Sequence, residues 1–140
     1  MRYRHPSDTN NAKDEIQELA RQIVIARDGG CIARNEPWHI CNGFRKDGIL
    51  ILQADHLLTR ANAATYSDIR LIVCVCNGLH GWKRWNKEAY DARIRQLLPK
   101  DRIALWDRAH AERYKPVRKY TYDWRMDVAA LRQELASYKT

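Results

Sequence analysis

The sequence predicts an α+β fold that is mostly helical, with a small antiparallel hairpin leading into a helix at its centre and about four helices around it. Three observations predict it. Apolar residues recur at helical spacing on both sides of the middle of the chain. Two short apolar runs, 49–53 and 68–76, interrupt that period and are bounded by turn-forming residues. A length of 140 residues suits one domain with one hydrophobic core.

Residues 1–10 are polar, contain Pro6, and read as a flexible arm ahead of a domain over 11–140. Ile16, Leu19, Ala20, Ile23 and Val24 then mark a helix, with Asn10 or Asn11 as its cap and Asp28-Gly29-Gly30 as its stop. From Cys31 to Gly48 the mix of Pro, Asn, Gly and isolated aromatics reads as a loop or knuckle. A strand follows at 49–53 and a second at 68–76, and a helix starting near Asn77 is kept short by Gly81 and Asn86. Trp82 and Trp85 are expected to point into the core. Tyr90, Ile94, Leu97 and Leu98 belong to a helix stopped by Pro99, and Asp101 can cap the next, which runs to about Tyr114. Trp124, Val128, Leu131, Leu135 and Tyr138 form a last apolar stripe. The sequence contains no internal repeat and no low-complexity segment.

Charge narrows the function classes. Lys and Arg total 25 against 17 Asp and Glu, a formal charge of +8, which favours a polyanionic partner, nucleic acid first; the alternative is an unspecialised basic surface. The opening MRYRHPSDTNNAKDE has no apolar leader and no run reaches the length of a membrane span, so the expectation is a soluble, cytoplasmic protein. Four Cys without a secretion signal argue for free thiols or metal ligands rather than disulfides.

The centre carries the chemistry. Asp55 and His56 directly follow an apolar strand, and a strand that ends there can aim both at one site; an exposed turn is the plainer alternative. Asn77, His80 and Arg84 share one face of a helix that begins near Asn77. Asp and Asn oxygens with a His nitrogen suit a divalent cation that keeps open positions, which leaves His56 free to take a proton from a nucleophilic water near neutral pH. Phosphodiester hydrolysis asks for that combination of one base and one cation. The expectation is therefore that His56 and Asn77 meet around a shared Mg²⁺ or Mn²⁺. Cys31 and Cys41 in the loop, with Cys74 and Cys76 on one side of the second strand, can close around a structural Zn²⁺, with His39 able to replace one of them. Buried free thiols are the alternative. His5, His39 and His110 receive no catalytic role.

The segment ADH at 54–56, DIRLIVCVCN at 68–77 and His80 resemble the HNH (His-Me finger, ββα-metal) nucleases. With ARDGGCI, YDARIRQLLPKDRIALWDRAH and YDWRMDVAALRQELASYK included, residues 12–139 are similar to the lambdoid-phage NinG/Rap recombination nucleases. The resemblance implies a ββα-metal centre, a DNA endonuclease selective for branched intermediates such as D-loops and Holliday junctions, and products with 5′-phosphate and 3′-hydroxyl ends. It implies His56 as general base, Asp55 and Asn77 as ligands of the catalytic cation, and His80 as an additional one. Asp68 stands where the family has an Asn; an ionised Asp accepts but cannot donate, so it would act by accepting the second ring N–H of His56. Cys74 is one place beyond the family position, which Val73 holds.

Arg60, Lys83 and Arg84 are the candidate DNA contacts beside the site; Tyr114, Lys115, Arg118, Lys119, Tyr120 and Tyr122 form a second basic and aromatic cluster, whose tyrosines either stack on DNA or pack between the last two helices. A symmetric homodimer would suit a four-way junction. Two rival functions remain: a zinc-stapled DNA-binding module without catalysis, and a compact nuclease toxin that cuts duplex indiscriminately.

Overall fold

In the computed structural model, which describes residues 6–41, 45–46, 49–50, 52–58, 65–112 and 124–139, helix α1 runs over Pro6–Asp28. Residues 6–10, expected as part of the arm, are already helical. Asn10 and Asn11 thus lie within the helix, and residues 1–5 of the arm lie outside the described residues. The glycine stop is as expected. Gly29, at φ +76°, donates its N–H to the Ile25 carbonyl at 3.0 Å, a conformation a side chain would strain.

The expected strand 49–53 is divided. Strands β1 (Arg45–Lys46) and β2 (Ile49–Leu50) form one short antiparallel ladder. Strand β3 (Leu52–His56) pairs forward with β4 (Ile72–Cys76), in register from Leu52 opposite Cys76 to His56 opposite Ile72. The second expected strand, 68–76, opens instead as a 3-10 turn at Ile69–Leu71. Asp68 caps that turn by accepting the Arg70 N–H at 3.1 Å, a local bond that competes with strand pairing.

Helix α2 (Asn77–Lys83) follows β4 without a loop, and the Cys76 sulfur accepts the Leu79 N–H at 3.3 Å as its cap. Helices α3 (Lys87–Leu97), α4 (Lys100–Ala111) and α5 (Trp124–Ser137) complete the described elements. Pro99, not Asp101, is the N-cap of α4, and Asp101 falls in the first turn, where its charge favours the helix dipole. The expected end near Tyr114 lies outside the described residues; the described part of α4 closes at Ala111, with Glu112 as its C-cap. The fold is thus α+β and mostly helical, with a hairpin at the centre. No helix among the described residues is long and apolar enough to cross a membrane.

Helix α1 separates two cores. Its Ala20 and Val24 pack on β4, Leu79, Tyr90, Ile94 and Trp106, whereas Ala12, Ile16 and Ile23 pack on Tyr66 and the α5 stripe of Trp124, Val128, Leu131 and Leu135. Each fully buried aliphatic side chain contributes about 1.5–3 kcal/mol, so α1 is the spine of the molecule. Tyr138, the last residue of the expected stripe, follows the helix and is exposed. Polar side chains then lock both outer edges of the hairpin. Gln17 and Arg21 of α1 donate to the Ala54 and Leu52 carbonyls at 3.2 and 2.9 Å. Arg27 and Arg102, from α1 and α4, both donate to the Ile72 carbonyl, at 2.6 and 3.0 Å. Edge groups that would otherwise template aggregation are satisfied in this way.

The tryptophan expectation is overturned. Helix α2 is two turns long and is seated by Leu79 and Lys83, one turn apart, which leaves Trp82 36 % and Trp85 81 % exposed.

Candidate metal centre and candidate active site

The first site is a cluster of four ligand atoms. Cys31 follows directly on the glycine stop of α1, His39 and Cys41 end the turns after it, and Cys76 joins β4 to α2. Their three sulfurs and one imidazole nitrogen all lie within 4.8 Å of one another. The His39 Nε2 is 3.9 Å from the Cys31 sulfur and 3.3 Å from that of Cys76. A tetrahedral zinc with ordinary bond lengths requires ligand separations of about 3.5–3.8 Å, so the donor set and its spacing fit that ion.

Protonation at the cluster follows from burial. The Cys31 thiol is pushed up to about 12 by desolvation, against the backbone N–H groups of Cys76 and Ala33 that favour its thiolate. A bound cation reverses that balance, since it is a larger local charge than any of these groups. Desolvation also lowers the pKa of His39, keeping the neutral, ligating form at neutral pH.

Cys74 is not a member, which corrects the expected ligand set of Cys31, Cys41, Cys74 and Cys76; His39 takes its place. Residues two apart on a strand share a face but stand about 6.6 Å apart along it, whereas sulfurs on one zinc are about 3.8 Å apart. The Cys74 thiol is instead buried beside Asp28, whose carboxylate accepts its backbone N–H at 3.0 Å. Burial, then the Asp28 charge, push that thiol up to about 12. The spacing Cys31-x7-His39-x-Cys41 was the available signal for His39.

The second site lies at the other end of β3. Asp55 and His56 are buried, 3 % and 7 % exposed, and both line a cleft of about 460 Å³ with Gln17, Gln53, His80, Lys83 and Arg84. Lys83 donates to both Asp55 oxygens and to the His56 carbonyl, each at 2.9 Å. The Tyr90 hydroxyl donates to the same carboxylate, and the His80 Nε2 stands 3.5 Å from it. Burial first, and then Asp55, raise the Tyr90 pKa well above its ordinary value, so the phenol remains a donor.

His56 is held from the opposite side. Its Nε2 donates to the Tyr66 carbonyl at 2.8 Å, and its ring stacks on Tyr66 with centroids 4.9 Å apart. Tyr66 in turn meets Trp124 edge-on at 5.6 Å and lies beneath the Lys13 ammonium at 4.6 Å. The core between α1 and α5 therefore supports the imidazole. A carbonyl only accepts, so the bond to Tyr66 places the proton on Nε2 and the basic lone pair on Nδ1.

Other expected site residues are placed differently. Asn77 is exposed at the far end of the hairpin from His56, where its side-chain oxygen accepts from Gln53, and it is not among the residues lining the cleft. The expected meeting of His56 and Asn77 gives way to one of Asp55 with His80 and Lys83. The reason is the register: His56 opposes Ile72, four pairs of the ladder away from Cys76, or about 13 Å. Asp68 does not take the second ring N–H of His56. Its carboxylate is engaged by the Arg70 guanidinium at 2.8 and 3.0 Å, which raises the Arg70 pKa. Arg84 is exposed at the rim of the cleft, 5.5 Å from the Trp85 ring. Arg60 and the cluster from Tyr114 to Tyr122 lie outside the described residues. No family model, curated protein or solved structure matches the chain.

Proposed function

We propose that this chain is a metal-dependent DNA endonuclease of HNH type, held together by a structural zinc at Cys31, His39, Cys41 and Cys76. One observation carries the reading: a carboxylate and an imidazole from the end of β3 meet His80, Lys83 and Arg84 of the following helix in one open cleft, on a protein of formal charge +8. Stacked on Tyr66 and tied to its carbonyl, His56 carries its basic lone pair on Nδ1, which is buried here, so a turn of the ring toward the cleft would have to precede proton transfer from a water. Arg84 at the rim supplies positive charge to the phosphate, whereas the Lys83 ammonium is engaged by Asp55 and the His56 carbonyl.

Asp55 and His80, 3.5 Å apart, would hold a Mg²⁺ or Mn²⁺. Such an ion, when bound, stabilises charge on the phosphoryl oxygens and on the leaving oxygen. The sequence resemblance extends the proposal to branched recombination intermediates and to 5′-phosphate products.

A specific feature favours a second reading. Asp55 already has an ammonium and a phenol as partners, which also fits a structural role in a zinc-stapled DNA-binding module without catalysis. The test is incubation of plasmid, linear duplex and branched oligonucleotides with Mg²⁺ or Mn²⁺, comparing the wild type with His56→Ala. Cleavage is expected to fall by about 10²–10⁴-fold in the variant while binding persists. Binding without cleavage by the wild type in either metal would favour the module, and equal cutting of linear and branched DNA would remove the preference for junctions.

A further inference from the structure

Helix α2 has a cavity on each flank. On one side of the ridge formed by Leu79 and Lys83 lies the cleft with His80; on the other, a second cavity of about 400 Å³ is lined by Trp38, Ile40, Gly78, Leu79, Trp82 and Arg93, and by His39 of the cysteine cluster. Its walls are aromatic and cationic. The Trp38 and Trp82 rings are 6.3 Å apart and inclined by 38°, so they open as a wedge, and the Arg93 guanidinium lies 5.2 Å over Trp38. Ile40 is almost fully exposed, and no carboxylate is among the lining residues.

Exposing two large apolar side chains beside an arginine costs solvation free energy that packing into the core would avoid. A flat, π-rich, uncharged group attached to an anion recovers it, because it stacks on the indole while the anion meets the guanidinium. We propose that this cavity binds an unpaired nucleobase of a DNA strand whose phosphate lies in the His56 cleft. The two cavities are separated by one helix, about 10 Å across with its side chains, a span that one to three nucleotides of a single strand cover. The chain would then select DNA with an unpaired base beside the scissile phosphate, since a base within a duplex cannot enter the wedge.

The inference rests on the DNA reading above, and binding tests it separately from cleavage. The full-length, metal-replete protein is titrated without added Mg²⁺ or Mn²⁺ against two fluorescent probes of one sequence, a fully paired duplex and the same duplex with a three-nucleotide single-stranded gap. The gapped probe is expected to bind about tenfold more tightly, from stacking of one base. Trp82→Ala should abolish that preference while leaving affinity for the paired probe unchanged, and Trp82→Phe, which keeps a stacking face, should retain most of it. Equal affinity of the wild type for both probes, or a preference that survives in Trp82→Ala, overturns the proposal. So does a dimer in sedimentation that Trp82→Ala dissociates, which would assign the cavity to a second copy of this chain. If Trp82→Ala fails to fold, Arg93→Ala with Trp82→Phe replaces it, and an undiminished preference in Arg93→Ala overturns the proposal. Failure of the wild type to cleave would sink the nuclease reading and leave these binding results intact.

Discussion

The cysteine cluster and the Asp55 cleft sit at opposite ends of the same hairpin, and their charges are balanced in opposite ways. The cluster gathers four electron-pair donors, three sulfurs and an imidazole nitrogen, at separations that an ion of double charge would bridge. At the cleft the carboxylate already meets a cation of the chain itself, Lys83. The first arrangement has the donors to hold an ion and brings the 31–41 loop against the end of β4. The second is balanced by groups of the chain itself and opens on solvent. Charge balance thus separates a set of donors suited to an ion from a buried ion pair that lines an open cleft.

The largest effect should come from removing a sulfur of the cluster. Cys76→Ser, or a strong zinc chelator, is expected to cost roughly 5 kcal/mol or more, a fall of about 15 °C in Tm, with metal content dropping from one ion per chain. Cys74→Ser is the contrast. It should leave metal content at one per chain and cost about 1–3 kcal/mol for a buried hydroxyl. Loss of metal in Cys74→Ser but not in Cys76→Ser, read by elemental analysis, would invert the assignment.

A middle-sized effect should appear at the cleft. Lys83→Met removes the ammonium from a carboxylate that is 3 % exposed, and should destabilise the fold by about 3 kcal/mol. The same change frees one Asp55 oxygen, while the other still accepts from Tyr90, so Mn²⁺ affinity by calorimetry is expected to rise about tenfold, a difference of about 1.4 kcal/mol. Unchanged Mn²⁺ affinity would break the idea that the ammonium and an ion compete for Asp55.

A further effect, seen only at alkaline pH, is a pH dependence. Burial, then Asp28, raise the folded-state pKa of Cys74 from 9.0 to about 12. The folded chain therefore keeps a proton that the unfolded chain releases, and this contribution is fully present below about pH 9 and lost as pH rises toward 12. Urea unfolding at several pH values should show that alkaline decline, and Cys74→Ala should reduce it. In the metal-free protein Cys31, also raised to about 12 by burial, adds to the slope; with metal bound, its sulfur is a thiolate throughout and drops out. An identical alkaline slope with and without metal would show that Cys31 is not a ligand.

Much of the fold was legible because local patterns carry it. The α1 stripe, its glycine stop, the short α2 and the four buried residues of α5 all follow from periodicity and capping. So did the placing of Asp55 and His56 at the end of a strand and of Asn77 at a helix start. Two local signals were misread. Residues 6–10 are helix rather than arm, and Asp68 caps a turn rather than opening a strand.

Partner identity was beyond any such pattern. Period-two alternation says that Cys74 and Cys76 share a face, but the step along the strand separates them too widely for one ion, and a loop histidine closes the set. Helical period puts Asn77, His80 and Arg84 together, yet the seating of α2 on Leu79 and Lys83 decides that Lys83 reaches Asp55 and that Trp82 faces water. Intervals along the chain thus settle which residues belong to each element and which way they face. Distances between elements depend on how those faces rotate and pack, and a charge takes as its partner whichever group that packing brings within a few ångströms.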